Sequence, residues 1–181
     1  GCKPQALLFT RKDYSMEPIS EEKIQEVIAA MNSRGGNPLD SLFEEMDREQ
    51  HAVTDYLFEV EGESLNDDER DLLITFTTLG WHIIQQSSGA GRIVTDEELS
   101  GRLERNAELL EKREEEKGDF DEALMSVLSD DNDQPVLMGF LLNLVVDRPA
   151  EYGGTIRDQS IPVIMLHMKT VVDCLLGTEG N

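Results

Sequence analysis

The chain is short of cysteine and of positive charge. It also has no uninterrupted apolar run of the ~18–20 residues needed to cross a bilayer. Its two cysteines, Cys2 and Cys174, lie near opposite ends of 181 residues, and there is no CxxC or Cys/His cluster. That excludes a disulfide framework and makes a reducing compartment the default. Lysine and arginine number 16 against 38 Asp and Glu, for a net charge of −22. Such a charge repels both polyphosphate and anionic lipid, so direct binding to nucleic acid or an anionic membrane is not expected. HExxH, GxSxG and GxGxxG are absent. The Ser87–Arg92 segment lacks the lysine of a phosphate loop and follows a helical pattern rather than a strand, so it reads as a linker. The acidic turn Asp130–Asp133 fails as a calcium loop. Counted from Asp131, Val136 and Leu142 stand where glycine and glutamate are required.

The acids that are present are unevenly spread. Residues 38–71 carry 13 acids and 2 bases, and residues 95–133 carry 15 acids and 5 bases. The intervening residues 72–94 have one base and no acid. Acidic amphipathic helices therefore alternate with apolar ones, and the expected fold is all-α. The pattern predicts an irregular bundle of about seven helices in one domain over 1–181, with 1–18 irregular and 19–177 the helical body. A short helix-pair solenoid is the alternative.

Ser20 reads as an N-cap, with Ile24, Val27, Ile28 and Met31 on one stripe behind it. Pro38 opens what reads as a single long amphipathic helix, with Leu39, Leu42, Phe43, Met46, Val53, Leu57 and Val60 inward. Asn66 and Glu69 form a capping box ahead of a helix that is apolar nearly all round, over 67–86. Thr95 and Glu98 form another, ahead of a charged helix with the narrow stripe Leu99, Leu103, Ala107 and Leu110. A short helix follows Asp119. The apolar segment 135–147 is expected in the interior beside 67–86. Ser160 and Pro162 open the last helix, and Gly177 ends it.

Few residues suggest chemistry. Glu44, Asp47, His51 and Asp55 share one helical face, and Asp47, His51 and Asp55 are the candidate ligands for a divalent metal. The Glu-x-x-His pairs of bundle di-metal sites are absent. A solvated acidic face is the competing reading, so no cofactor is expected. His82 reads as a core or boundary histidine. His167 would complete a three-histidine site only if the fold brought it to the others. Cys174 reads as packing. Tyr56 and Phe58 sit partly off the main stripe and mark either a contact patch or a wider core face.

The expected function is therefore protein–protein interaction, as a soluble adaptor for a basic partner. The alternatives are a metal-dependent enzyme centred on His51 and a nucleic-acid mimic. An enzyme is the less expected class, and the sequence carries no sign of oligomeric state. The expected location is cytoplasmic. A bacterial lipoprotein is the alternative if Cys2 follows a removed signal peptide.

Overall fold

In the computed structural model the chain is all-helical. The structure describes residues 16–60, 62, 64–89, 92–130 and 132–177. The apolar run Ala6–Phe9, Cys2 and most of the irregular segment 1–18 lie outside the described residues, as does Asp131 in the acidic turn. Among the described residues eight α-helices follow in order: α1 Glu21–Asn32, α2 Pro38–Glu49, α3 His51–Glu59, α4 Asp67–Ser88, α5 Asp96–Lys117, α6 Phe120–Asp130, α7 Pro135–Asp147 and α8 Ile161–Leu176. Two single 3-10 turns, Ala150–Tyr152 and Asp158–Ser160, lie between α7 and α8. No strand occurs among the described residues.

The centre is a pair of helices, α4 and α8. α4 packs on α1, α2, α3, α7 and α8, while α8 packs on α4, α5, α6 and α7. These contacts join elements far apart in sequence, so the molecule is a bundle and not a stack of helix pairs in which each repeat touches only its neighbours. α4 is buried as its apolar circumference predicts, with Leu72, Leu73, Phe76, Trp81, Ile83 and Ile84 in the core. At Gly80 the three helices come close: an added Cβ would meet Leu141 Cδ1 of α7 at 3.0 Å and Val172 Cγ2 of α8 at 3.8 Å.

One expectation about the core is corrected. Helix α7, for all its apolar sequence, is peripheral. It buries Leu137, Met138, Leu141 and Val145, while Val136 and Val146 are exposed. The second central helix is α8, which buries Lys169, Asp173, His167 and Thr170 along with its aliphatics. Polar residues lower the apparent hydrophobicity of α8, but they can be buried because they pair with one another and with neighbouring helices. The stretch Asp158–Leu176 has the length and composition of a membrane-crossing helix, a property the broken apolar run did not suggest, and 67% of it is buried inside the bundle.

A second correction concerns the long acidic helix, which is two helices broken at Gln50. Gln50 leaves helical geometry at φ −131°, ψ 52° and is 2% exposed. Its side chain acts as a short piece of β partner for the linker before α5. Nε2 donates to Arg92 O at 2.6 Å, and Oε1 accepts from Val94 N at 3.0 Å. The linker has no strand to pair with, and the amide satisfies its buried backbone groups instead. The stripe of α5 also shifts: Leu99 and Asn106 are buried and Ala107 is exposed.

The helix ends follow the sequence closely. Both capping boxes form, at Asn66/Glu69 and Thr95/Glu98. Asp119 Oδ1 accepts from Glu122 N at 2.9 Å at the start of α6. Gly177 closes α8 in the left-handed region at φ 66°. Asn37 is an exception, since its side chain makes no capping bond and instead donates to Asp40 Oδ2 at 2.9 Å. Glu69 has a second task. It is 0% exposed and accepts two bonds from the Arg157 guanidinium, at 2.8 and 2.6 Å, and one from Arg157 N at 2.9 Å. Those donors hold its carboxyl down at about 2, with Arg157 the main cause. The loop between α7 and α8 is thereby fixed to the N-terminus of α4.

Candidate functional site

Asp47, His51 and Asp55 do come together on the surface, as a ladder across the α2–α3 break. His51 Nδ1 lies 3.3 Å from Asp47 Oδ1, and His51 Nε2 lies 3.5 Å from Asp55 Oδ2. Thr54 Oγ1 donates to Asp47 Oδ1 at 2.6 Å. That bond, and then His51, lower the pKa of Asp47. Both ring nitrogens thus face carboxylates directly, whereas metal ligands point at a shared vertex about 2.0–2.2 Å from each donor. Among the described residues no group of three or more His, Cys, Asp or Glu is placed to hold a metal ion.

The three histidines have separate neighbours. His82 is 3% exposed and stands beside Trp81, with ring centroids 6.4 Å apart. Burial, with Arg34 as a second cause, lowers its pKa and keeps the imidazole neutral. His167 is 1% exposed, and its Nδ1 is hydrogen-bonded to the Tyr56 hydroxyl at 2.7 Å. Of the two aromatics singled out on α3, Tyr56 therefore turns inward to α8, and Phe58 turns outward.

Inside, α8 presents a polar seam to α5. Lys169 Nζ donates to Asp173 Oδ2 at 2.9 Å and Oδ1 at 3.1 Å, with the two side chains 1% and 4% exposed. Asn106 Nδ2 of α5 donates to Thr170 Oγ1 at 3.2 Å and approaches Asp173 Oδ2 at 3.4 Å. Burial raises the pKa of Asp173 despite the Lys169 cation beside it. Burial also pushes Cys174 up to about 11, and its thiol donates to Glu98 O at 3.5 Å. A thiol so protonated and covered serves packing, as its apolar helix implies. The signal for this seam is in the sequence: a lysine and an aspartate at i, i+4 within an apolar helix.

Outside, a groove of about 660 Å³ opens between α2, α3 and α4. Leu39 and Phe43 of α2, Phe58 of α3 and Ile74 of α4 supply its apolar lining. Phe43 and Phe58 meet edge to face, with centroids 6.1 Å apart and an interplanar angle of 82°. Phe58 is 55% exposed, unusual for a phenylalanine with a core within reach. Asp40 and Glu44 stand on the α2 wall, and Asp67 and Asp71 on the α4 wall. All four are exposed, and none is paired with a lysine or arginine among the described residues. The one cation among the described lining residues, Arg70, is committed elsewhere. It donates to Leu57 O and Val60 O at 2.9 Å and to Gly62 O at 2.7 Å, capping the end of α3. Thr78 lies in the lining at 1% exposure, and its hydroxyl has no hydrogen-bond partner among the described residues.

Leu39 and Phe43 lie on the apolar stripe that the sequence predicts, Ile74 falls within the all-round apolar 67–86, and charge alone does not separate these acids from the rest. A pattern that marks the groove is present on α2: the apolar i, i+4 pair Leu39/Phe43 runs beside the acidic i, i+4 pair Asp40/Glu44. No protein-family model matches the chain, and no curated protein and no solved structure is detectably similar to it.

Proposed function

We propose that this chain is a protein-interaction module for a basic partner. The observation that supports the reading is the division of its charge into committed and uncommitted groups. Buried acids are held: Glu69 by Arg157, and Asp173 by Lys169 and Asn106. The outward faces of α2, α3 and α5 carry Glu44, Glu59, Glu97, Glu104, Glu108, Glu111 and Glu114, exposed and with no cationic partner within 4 Å among the described residues. An array of unpaired carboxylates on rigid helices speeds encounter with a cationic surface and disfavours an anionic one.

The test is affinity purification with the full chain as bait at low and high salt. Captured partners are expected to be basic and to elute as ionic strength rises from about 50 to 500 mM, because exposed charges are screened within a few ångströms at the upper value. Neutral partners held equally well at both salt concentrations would overturn the reading.

A further inference from the structure

From the groove between α2, α3 and α4 we infer the form of that partner: a basic amphipathic helix of about three turns, laid with its apolar face on Phe43, Phe58 and Ile74. This rests on the reading of the chain as a module for a basic partner, and adds where the partner sits and what shape it has.

The length comes from α4. Its lining residues run from Asp67 to Thr78, and 11 steps of ~1.5 Å span ~16 Å, the length of three helical turns. The chemistry comes from the cross-section. An apolar strip lies between two acidic walls, Asp40 and Glu44 on one side and Asp67 and Asp71 on the other. A ligand that covers the strip must also dehydrate part of those carboxylates. Dehydration is unfavourable unless a cation meets them. A helix with leucine-type residues at i, i+4 and i+7 and lysine or arginine on both flanks meets both demands.

The helical form follows from the walls, which are themselves helices with their backbone groups already bonded. They offer no strand edge, so an extended peptide would bring unsatisfied N–H and C=O groups onto an apolar strip. A helix satisfies its own. One detail suits an occupant: Phe58 is left 55% exposed. Arg70 keeps its charge but turns its guanidinium to the carbonyls of Leu57, Val60 and Gly62, and the four lining carboxylates outweigh that one positive charge.

The probe is a synthetic fluorescein-labelled 14-residue peptide of leucine and lysine with the leucines on one helical face. The control has the same composition with the leucines dispersed around the helix. Binding to the full chain is followed by anisotropy. The amphipathic peptide should bind at least tenfold more tightly than the control. Phe58→Ala should weaken it at least tenfold, as should the double charge reversal Asp40→Lys/Glu44→Lys. The double reversal Glu111→Lys/Glu114→Lys on α5 should change it less than twofold. Circular dichroism of each variant checks the fold. Equal binding of the two peptides, an equal loss from the α5 reversal, or no binding of either peptide would overturn the groove assignment. Salt-sensitive capture of basic partners that survives Phe58→Ala would overturn it while leaving the broader reading intact.

Discussion

The groove between α2, α3 and α4 and the seam between α8 and α5 are built from similar residues and put charge to opposite uses. Both set carboxylates beside apolar side chains. In the seam, Asp173 is 3% exposed and is met by Lys169 and Asn106. In the groove, Asp40, Glu44, Asp67 and Asp71 are exposed and meet no cation: Asp40 and Asp71 take only neutral donors, the Asn37 amide and the Tyr152 hydroxyl, and the nearby Arg70 is used by backbone carbonyls. Charge in the seam specifies how two helices meet. Charge in the groove meets no cation within the described residues. The net charge of −22 is therefore a poor guide by itself, because it does not separate the acids that are paired from those that are not.

The comparison breaks first at Lys169. Lys169→Met leaves the Asp173 carboxylate buried without its cation, and should cost about 3–5 kcal/mol in urea unfolding. The pair Lys169→Met/Asp173→Leu should recover more than half of that, since no charge remains to be buried. A loss below about 1 kcal/mol for the single variant would mean that the seam does not hold α8 in place. Gln50→Ala removes the amide that satisfies Arg92 O and Val94 N, and should cost about 1–3 kcal/mol by the same assay.

Glu69→Gln should cost about 1–2 kcal/mol, less than the full carboxyl shift implies because Arg157 is half exposed and screened. The sign follows from the depressed pKa. The contribution is complete above the ordinary value of 4.5 and is lost as pH falls towards about 2. The variant should flatten that part of the stability curve. The buried neutral imidazole of His82 acts in a different window, with stability falling as pH drops below its ordinary 6.5. Chemical denaturation at stepped pH separates the two. At the small end, Phe58→Ala should change stability by no more than about 0.5 kcal/mol, since the ring is mostly outside the core. On the proposed reading its effect falls on binding, and a large stability loss there would blur the distinction between groove and seam.

Much of the fold was legible in the residues. The all-helical class, the central position of α4 and both capping boxes follow from periodicity and from Asn66/Glu69 and Thr95/Glu98. What was not legible depends on partners distant in sequence. Nothing local breaks a helix at Gln50; the cause is a linker more than 40 residues away whose backbone needs the amide. Hydrophobicity alone ranks α7 above α8 as a core helix, because a count of polar residues does not register that Lys169 and Asp173 cancel. The candidate site was half legible. Phe58 stood out as off the stripe, and Asp47, His51 and Asp55 were correctly set on one face. The acids that rim the groove were invisible among many others, because α4 supplies one wall and α2 the other.

The most direct measurement is a ¹H–¹⁵N chemical-shift map of the full chain titrated with the amphipathic leucine–lysine peptide. The largest shifts are expected at Leu39–Glu44, at Phe58 and along the α4 residues from Asp67 to Thr78, and should fade as salt is added. Shifts concentrated on α5, or spread evenly over every acidic face, would contradict the account.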